Sequence, residues 1–168
     1  AIAALHGLNL DLIYAIPGQE LASWQRDVRQ ALDLGIEHLS TYALTTEEGT
    51  ALARARHAPT SVDMDIAMWE AAEAEAENHG LRRYEVSNFA RPGCECDHNL
   101  GIWRGDTYAG CGPAAASFDG CSRWRQVADL DQWLAGAAPE EDCLSPAARA
   151  AEILAFGLRT ADGWSLER

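Results

Sequence analysis

The rhythm of apolar and polar residues over the first half of the chain narrows the fold most. Leu8 to Ile16 reads as a buried strand, with Leu10, Leu12 and Tyr14 alternating against Asp11, Ile13 and Ala15. Pro17-Gly18 breaks it. Glu20 to Leu34 then places Leu21, Trp24, Val28, Ala31 and Leu32 at helical spacing, with Gly35 as the stop. A second strand is predicted from Glu37 to Leu44, a short helix around Ala51 to Arg56, and a longer helix capped by Thr60 or Ser61 that runs to His79 and Gly80. Leu81 to Ser87 reads as a third strand. Strand, helix, strand, helix, strand at this spacing predicts βα units and a parallel sheet, with ligands at the C-terminal strand ends.

The two ends read differently. Ala1 to His6 fits a last helical turn closed by Gly7, so the chain is expected to begin inside an element. After Asn88, short strands are expected at Ala114 to Phe118 and Arg123 to Val127, joined at Asp119-Gly120. A short helix follows at Asp129 to Leu134, then a linker from Ala137 to Asp142. Ser145-Pro146 opens a last helix to about Leu158, with Ser as cap and Pro in the first turn.

Three stretches could carry chemistry. Asp11 lies inside an apolar strand, where a buried carboxylate is costly unless paired. It is either bonded to nearby backbone or faces a crevice and accepts hydrogen bonds from ligand hydroxyls. Pro17-Gly18-Gln19 is either a plain turn or a place of close backbone approach. Tyr84-Glu85-Val86-Ser87-Asn88-Phe89-Ala90 puts Glu85 on a solvated edge or in a polar crevice. Beyond it, a Pro/Gly/Cys loop is expected to bring His98, Asn99 and Trp103 close together. His6, His38, His57 and His79 read as ordinary surface or core histidines. His98 stands apart through its neighbours: imidazole can ligate haem iron, Asn can orient it, and Trp supplies a flat apolar wall.

Composition limits the partners. The net charge is −13 and all 13 cations are arginine. A negative field of that size repels phosphate backbones, so nucleic acid is not expected as a partner. No apolar run is long enough for a membrane span, and no basic region precedes an apolar one at the N-terminus, which suggests a cytoplasmic protein. Cys94, Cys96, Cys111, Cys121 and Cys143 are odd in number and match no common metal spacing.

Asn9 to Gln19, His38-Leu39-Ser40-Thr41-Tyr42-Ala43-Leu44 with Gly49-Thr50, Tyr84 to Ala90, and His98-Asn99 with Trp103 together resemble one family, the radical S-adenosylmethionine haem chaperones, long labelled oxygen-independent coproporphyrinogen III oxidase-like. The resemblance continues through Tyr108, Gly110, Gly112-Pro113, Arg123-Trp124 and Leu158-Arg159. It implies an α/β fold: residues 1–90 as the last βα units of a partial (β/α)6 barrel, 91–142 as a post-barrel segment, and 143–168 as the start of a small α-rich, winged-helix-like C-terminal domain. It implies S-adenosylmethionine and a [4Fe–4S] cluster in the parent, with Asp11, Ile13 and Ala43 at positions that contact the nucleoside. His98, with Asn99 and Trp103, matches the family's HNxxYW motif, associated with haem binding.

The chain departs from the family pattern in four places. It contains no CxxxCxxC, so these residues alone hold neither the cluster nor its radical chemistry. Ala15 stands for the usual Gly, Ile102 for the motif's Tyr, and Ala114-Ala115-Ala116 for a Gly- and His-containing segment. The resemblance therefore implies a fragment of a chaperone that binds haem as cargo and passes it to acceptor proteins. Two other outcomes stay open: a coproporphyrinogen III dehydrogenase acting on a porphyrinogen, or a degenerate barrel fragment with neither activity.

Overall fold

In the computed structural model, residues 7–55 and 58–165 are described. The helical turn expected at Ala1 to His6, and His57, lie outside them. The chain divides into two compact units, Ala1–Glu95 and Cys96–Arg168.

The first unit follows the expected rhythm as far as its second strand. β1 (Asn9–Tyr14) and β2 (His38–Ala43) pair in parallel, with Asn9 opposite His38, Asp11 opposite Ser40 and Ile13 opposite Tyr42. Between them α1 (Leu21–Asp33) buries Trp24, Val28, Ala31 and Leu32, the stripe its spacing predicts. α2 (Ala51–Ala55) is a single short turn of helix, and α3 (Val62–Asn78) begins where the Ser61 hydroxyl accepts from Met64 N at 3.2 Å. Ala72 and Ala76 of α3 are fully buried. Their small side chains leave room for Trp24, whose indole N–H donates to Met68 O at 2.7 Å. Ile36, Leu39, Leu81 and Phe89 complete this core.

The third strand differs from expectation. Leu81 to Ser87 is not one parallel strand. It gives β3 (Arg82–Arg83) and a tight turn, after which β4 (Asn88–Ala90) follows, and the sheet order is β1-β2-β4-β3. β4 runs antiparallel to both β2 and β3. The cause is local. The Glu85 carboxylate turns back to accept from Ser87 N at 2.7 Å and from Asn88 Nδ2, and Tyr84 N donates to Asn88 O at 3.1 Å. A side chain that satisfies the following backbone N–H replaces a ladder bond and reverses the chain.

The second unit begins with α4 (Asp97–Arg104), a helix that follows the expected Pro/Gly/Cys loop and carries His98, Asn99 and Trp103. Asp97 complements the positive end of the helix dipole and Arg104 the negative end. Gly105, at φ 84°, closes the helix, with its N–H on Ile102 O and Asp106 N–H on Gly101 O. β5 (Ala116–Phe118) and β6 (Arg123–Arg125) form the predicted hairpin. Asp119 tightens its turn, accepting from Cys121 N and Ser122 N, and those two N–H groups, Ser122 first, hold its carboxyl below the usual range. α5 (Leu130–Leu134) is capped by Asp129. β7 (Glu140–Asp142) pairs with β6 where a linker was expected, because Arg123 binds Asp142 across the strands. α6 (Pro146–Gly157) is capped by Ser145 as predicted and packs on α4.

Candidate functional site

Each unit presents one candidate surface. In the first unit, strand alternation sends Leu10, Leu12 and Tyr14 toward the helices and Asn9, Asp11 and Ile13 to the opposite face. In-register pairing adds His38, Ser40 and Tyr42 from β2 and Asn88 from β4. This second face is polar and its members bond to one another. Asn9 Nδ2 donates to Asp11 Oδ1 at 2.8 Å. Asn9 Oδ1 lies 2.7 Å from His38 Nδ1 and 3.3 Å from the Ser40 hydroxyl. His38 Nε2 lies 2.8 Å from the Tyr84 hydroxyl.

Asp11 and Ile13 are exposed on this face, Ile13 by 49%. The Asp11 carboxyl is held below its ordinary value, first by the Ser40 hydroxyl and then by the Asn9 amide. That hydroxyl has one proton and two acceptors in reach, Asp11 and Asn9 Oδ1, so it stabilises whichever it faces. The backbone reading of Asp11 is thus superseded, since its partners are the Ser40 and Asn9 side chains; the carboxylate lies exposed on the polar face, where a ligand hydroxyl can reach it. Ala43 is also exposed but has the opposite parity, opposite Tyr14, so the structure brings Asp11 and Ile13 onto one face and leaves Ala43 at the strand's C-terminal end.

Glu85 is neither at a solvated edge nor lining a crevice: it is buried, as the clamp of the turn. Beside it Asn88 is 4% exposed, and its Oδ1 has no hydrogen-bond partner among the described residues, an acceptor that a water or a ligand donor can fill. Pro17-Gly18-Gln19 is a turn in which Gln19 N donates to Ile16 O at 2.8 Å. Just before it Ala15 sits at φ 60°, a left-handed conformation that glycine adopts without strain.

In the second unit, His98, Asn99 and Trp103 do not converge. They lie on α4, where Asn99 and Trp103 share a face four residues apart and His98 points about 140° away from Trp103 at 100° per residue. His98 is exposed. Trp103 turns into the α4–α6 packing, edge-on to Phe156 with ring centroids 5.5 Å apart and with the Arg159 guanidinium 4.4 Å over its ring. Trp103 Nε1 is buried and has no hydrogen-bond partner among the described residues. Ile102 lines a mixed cleft in which Trp103, Phe118 and Phe156 meet the charged side chains Arg123, Arg149 and Glu152.

The Asn9–His38–Tyr84 chain escaped the sequence reading. Its trace is the shared parity of Asn9 and Asp11 with His38 and Ser40 across two strands. All five cysteines are free, and among the described residues no three of His, Cys, Asp and Glu gather as a metal site. An iron–sulfur cluster does not fit these residues. Among the described residues no helix is long and apolar enough to cross a membrane.

No family model matches the chain. It is 44% identical over 124 residues to the heme chaperone HemW of Mycobacterium tuberculosis, covering 71% of this chain and 32% of that protein. It is 30% identical over 174 residues to the heme chaperone HemW of Lactococcus lactis, covering 99% of this chain and 46% of that protein. The chain thus spans a third to a half of the length of these relatives. In structure it resembles the coproporphyrinogen III oxidase HemN of Escherichia coli, described as a radical SAM enzyme, with a TM-score of 0.72 and 16% identity over 92% of this chain and 41% of that one. The fold is of that mixed α/β kind, and by sequence the chain belongs to the heme chaperone HemW family, of whose members it corresponds to a part.

Proposed function

We propose that this chain works as part of a haem chaperone of the radical S-adenosylmethionine type, which binds haem and hands it to acceptor proteins in the cytoplasm. The observation that carries this reading is the likeness to proteins named heme chaperone, at identities where homology is secure. Residues 1–90 are assigned to the last βα units of a barrel, 91–142 to the segment after it, and 143–168 to the start of a C-terminal domain. The [4Fe–4S] cluster is assigned to the remaining length of such a protein, since the residues of this chain do not fit one.

Two surfaces divide the work. The polar face of the β1–β2 sheet holds the nucleoside of S-adenosylmethionine: the ionised Asp11 accepts from its hydroxyls, Ile13 offers apolar contact beside it, and Ala43 lies at the neighbouring strand end. The second surface is α4. There His98, exposed and reachable, supplies an imidazole nitrogen to haem iron, and Asn99 lies on the next residue of the helix. Trp103 acts from behind, anchoring α4 against α6 rather than forming a wall of the site.

Haemin titrated into the protein, followed by its Soret band, tests the haem assignment. His98→Ala should weaken binding at least tenfold and shift the band, while Trp103→Phe, which keeps the packing, should change it little. Equal affinity of wild type and His98→Ala would remove His98 from the site.

A further inference from the structure

Four side chains on the polar face form a hydrogen-bond chain that runs in one direction. The direction follows from the last member. An ionised Asp11 only accepts, so the Asn9 atom 2.8 Å from it is the amide nitrogen, and Asn9 Oδ1 faces the other way. That oxygen also only accepts, so His38 Nδ1, 2.7 Å away, carries the proton and donates to it. His38 is buried, 7% exposed, and burial, the largest influence on it, pulls its pKa below the usual value against the opposing pull of Asp11, Glu85 and Glu95. In the neutral ring Nε2 then has a lone pair, and the Tyr84 hydroxyl, 2.8 Å away, donates to it. The tautomer is therefore set at both ends. Each donor polarises the next, and the sequence of donors ends on an exposed carboxylate.

We propose that His38, backed by Tyr84, is a positioning residue for Asp11: through Asn9 it fixes the orientation and ionisation of the one exposed carboxylate on this face, so that Asp11 is preorganised for a ligand with vicinal hydroxyls such as a ribose. The ligand class rests on the nucleoside reading given above; the chain of donors does not. Three further observations agree with it. The arrangement lies outside the main hydrophobic cluster of this unit, to which none of Asn9, Asp11, His38 and Tyr84 belongs. The Asn9 amide alone could rotate, and a rotated amide would turn Oδ1 toward the carboxylate; His38 prevents that. Finally, the charged groups nearest His38 (Asp11 from β1, Glu85 from the turn and Glu95) are all acids, so a protonated His38 would draw Asp11's charge to itself, whereas the neutral ring leaves it for a ligand.

Two measurements separate the donor chain from the ligand. In the 168-residue chain, 15N shifts of His38 should show a neutral ring protonated on Nδ1, and the 13C-detected midpoint of Asp11 should lie below that of a free aspartate. His38→Leu should raise the Asp11 midpoint by about half a unit to one unit. His38→Gln, whose amide can donate to Asn9 and accept from Tyr84, should restore it, and Tyr84→Phe, the mildest of the variants, should shift it in the same direction by less. An unmoved midpoint in a folded His38→Leu and in Tyr84→Phe, or a Gln variant no better than Leu, overturns the proposal. In a polypeptide that carries this chain with the remaining length of its relatives, calorimetric titration with S-adenosylmethionine should show about threefold to tenfold weaker binding for His38→Leu and near wild-type binding for His38→Gln. Should Asp11→Asn bind as wild type does, the nucleoside reading fails, while the Asp11 midpoints still decide the donor chain.

Discussion

His38 and His98 show how differently two histidines of one chain can be held. His38 is buried on the sheet, with both ring nitrogens engaged and its tautomer set by neighbours from two other segments. His98 sits on the outer side of a short helix, exposed. The first unit can fix a side chain in this way because it has a filled core of Trp24, Leu39, Met68 and Phe89 beneath the strands. In the second unit Phe118 is the only large hydrophobic side chain buried among the described residues, and α4 has no fully buried residue. Under the function proposed above, a rigid platform suits a ligand that must be oriented, whereas an exposed imidazole suits a cargo that has to be taken up and released. That contrast rests on geometry, and it can be broken.

The largest expected effect lies in the first unit's core. Trp24→Ala removes a fully buried indole and its bond to Met68 O, and should cost about 3–5 kcal/mol in urea unfolding. Trp103→Ala removes a half-buried ring and should cost clearly less, about 1–3 kcal/mol. Equal losses would mean that the second unit is as well packed as the first. Gly157→Ala comes next, because a Cβ there would lie 1.9 Å from the Trp164 indole, whose N–H donates to Leu154 O at 3.0 Å. Loss of Trp164 fluorescence change on unfolding, with β-sheet signal in the first unit retained, would confine that damage to the second unit.

His38 should also make stability depend on pH. His38 has a folded pKa below its unfolded value near 6.5, so the unfolded chain takes up the proton first as pH falls. The associated stability is fully present above pH 6.5 and is lost as pH drops from there through the folded value. Denaturant midpoints should therefore fall between pH 7 and pH 5, and His38→Gln should flatten that slope; an unchanged slope would show that His38 is not held neutral. His98→Ala should leave stability within about 0.5 kcal/mol, because an exposed side chain has little to lose. The smallest effect expected is at Ala15. Ala15→Gly relieves a left-handed alanine but adds freedom to the unfolded chain, for a net gain under about 1 kcal/mol.

Much of the fold was legible in the residues. The α1 stripe, the Ser61 and Ser145 caps and the Asp119-Gly120 hairpin each depend on interactions within a few positions, and each lies where the pattern puts it. α4 was legible too, through Asp97, Arg104 and Gly105, but the Pro/Gly/Cys run before it drew attention toward a loop. Two of the family departures have a shared local cause that only dihedrals reveal: Ala15 and Ala114 both lie at φ 60°, where glycine is the unstrained choice. The third strand misled because alternation over Leu81 to Ser87 is the same whether the chain continues or turns back. What decided the matter was a carboxylate reaching two and three residues ahead.

The amino-acid sequence by itself determined the family, the helix and hairpin positions, the absence of cluster cysteines from these residues, and the candidate residues Asp11 and His98. These follow from residue types, local spacing and ordered motifs, which need no third dimension. Tertiary structure alone decided that Asn9, Asp11, His38 and Tyr84 form one directed chain, that Glu85 is a buried clamp, and that Trp103 turns away from His98. Each of those depends on strand register, on chain reversal or on the angle around a helix, and such relations join residues that the sequence keeps up to 75 positions apart, from Asn9 to Tyr84.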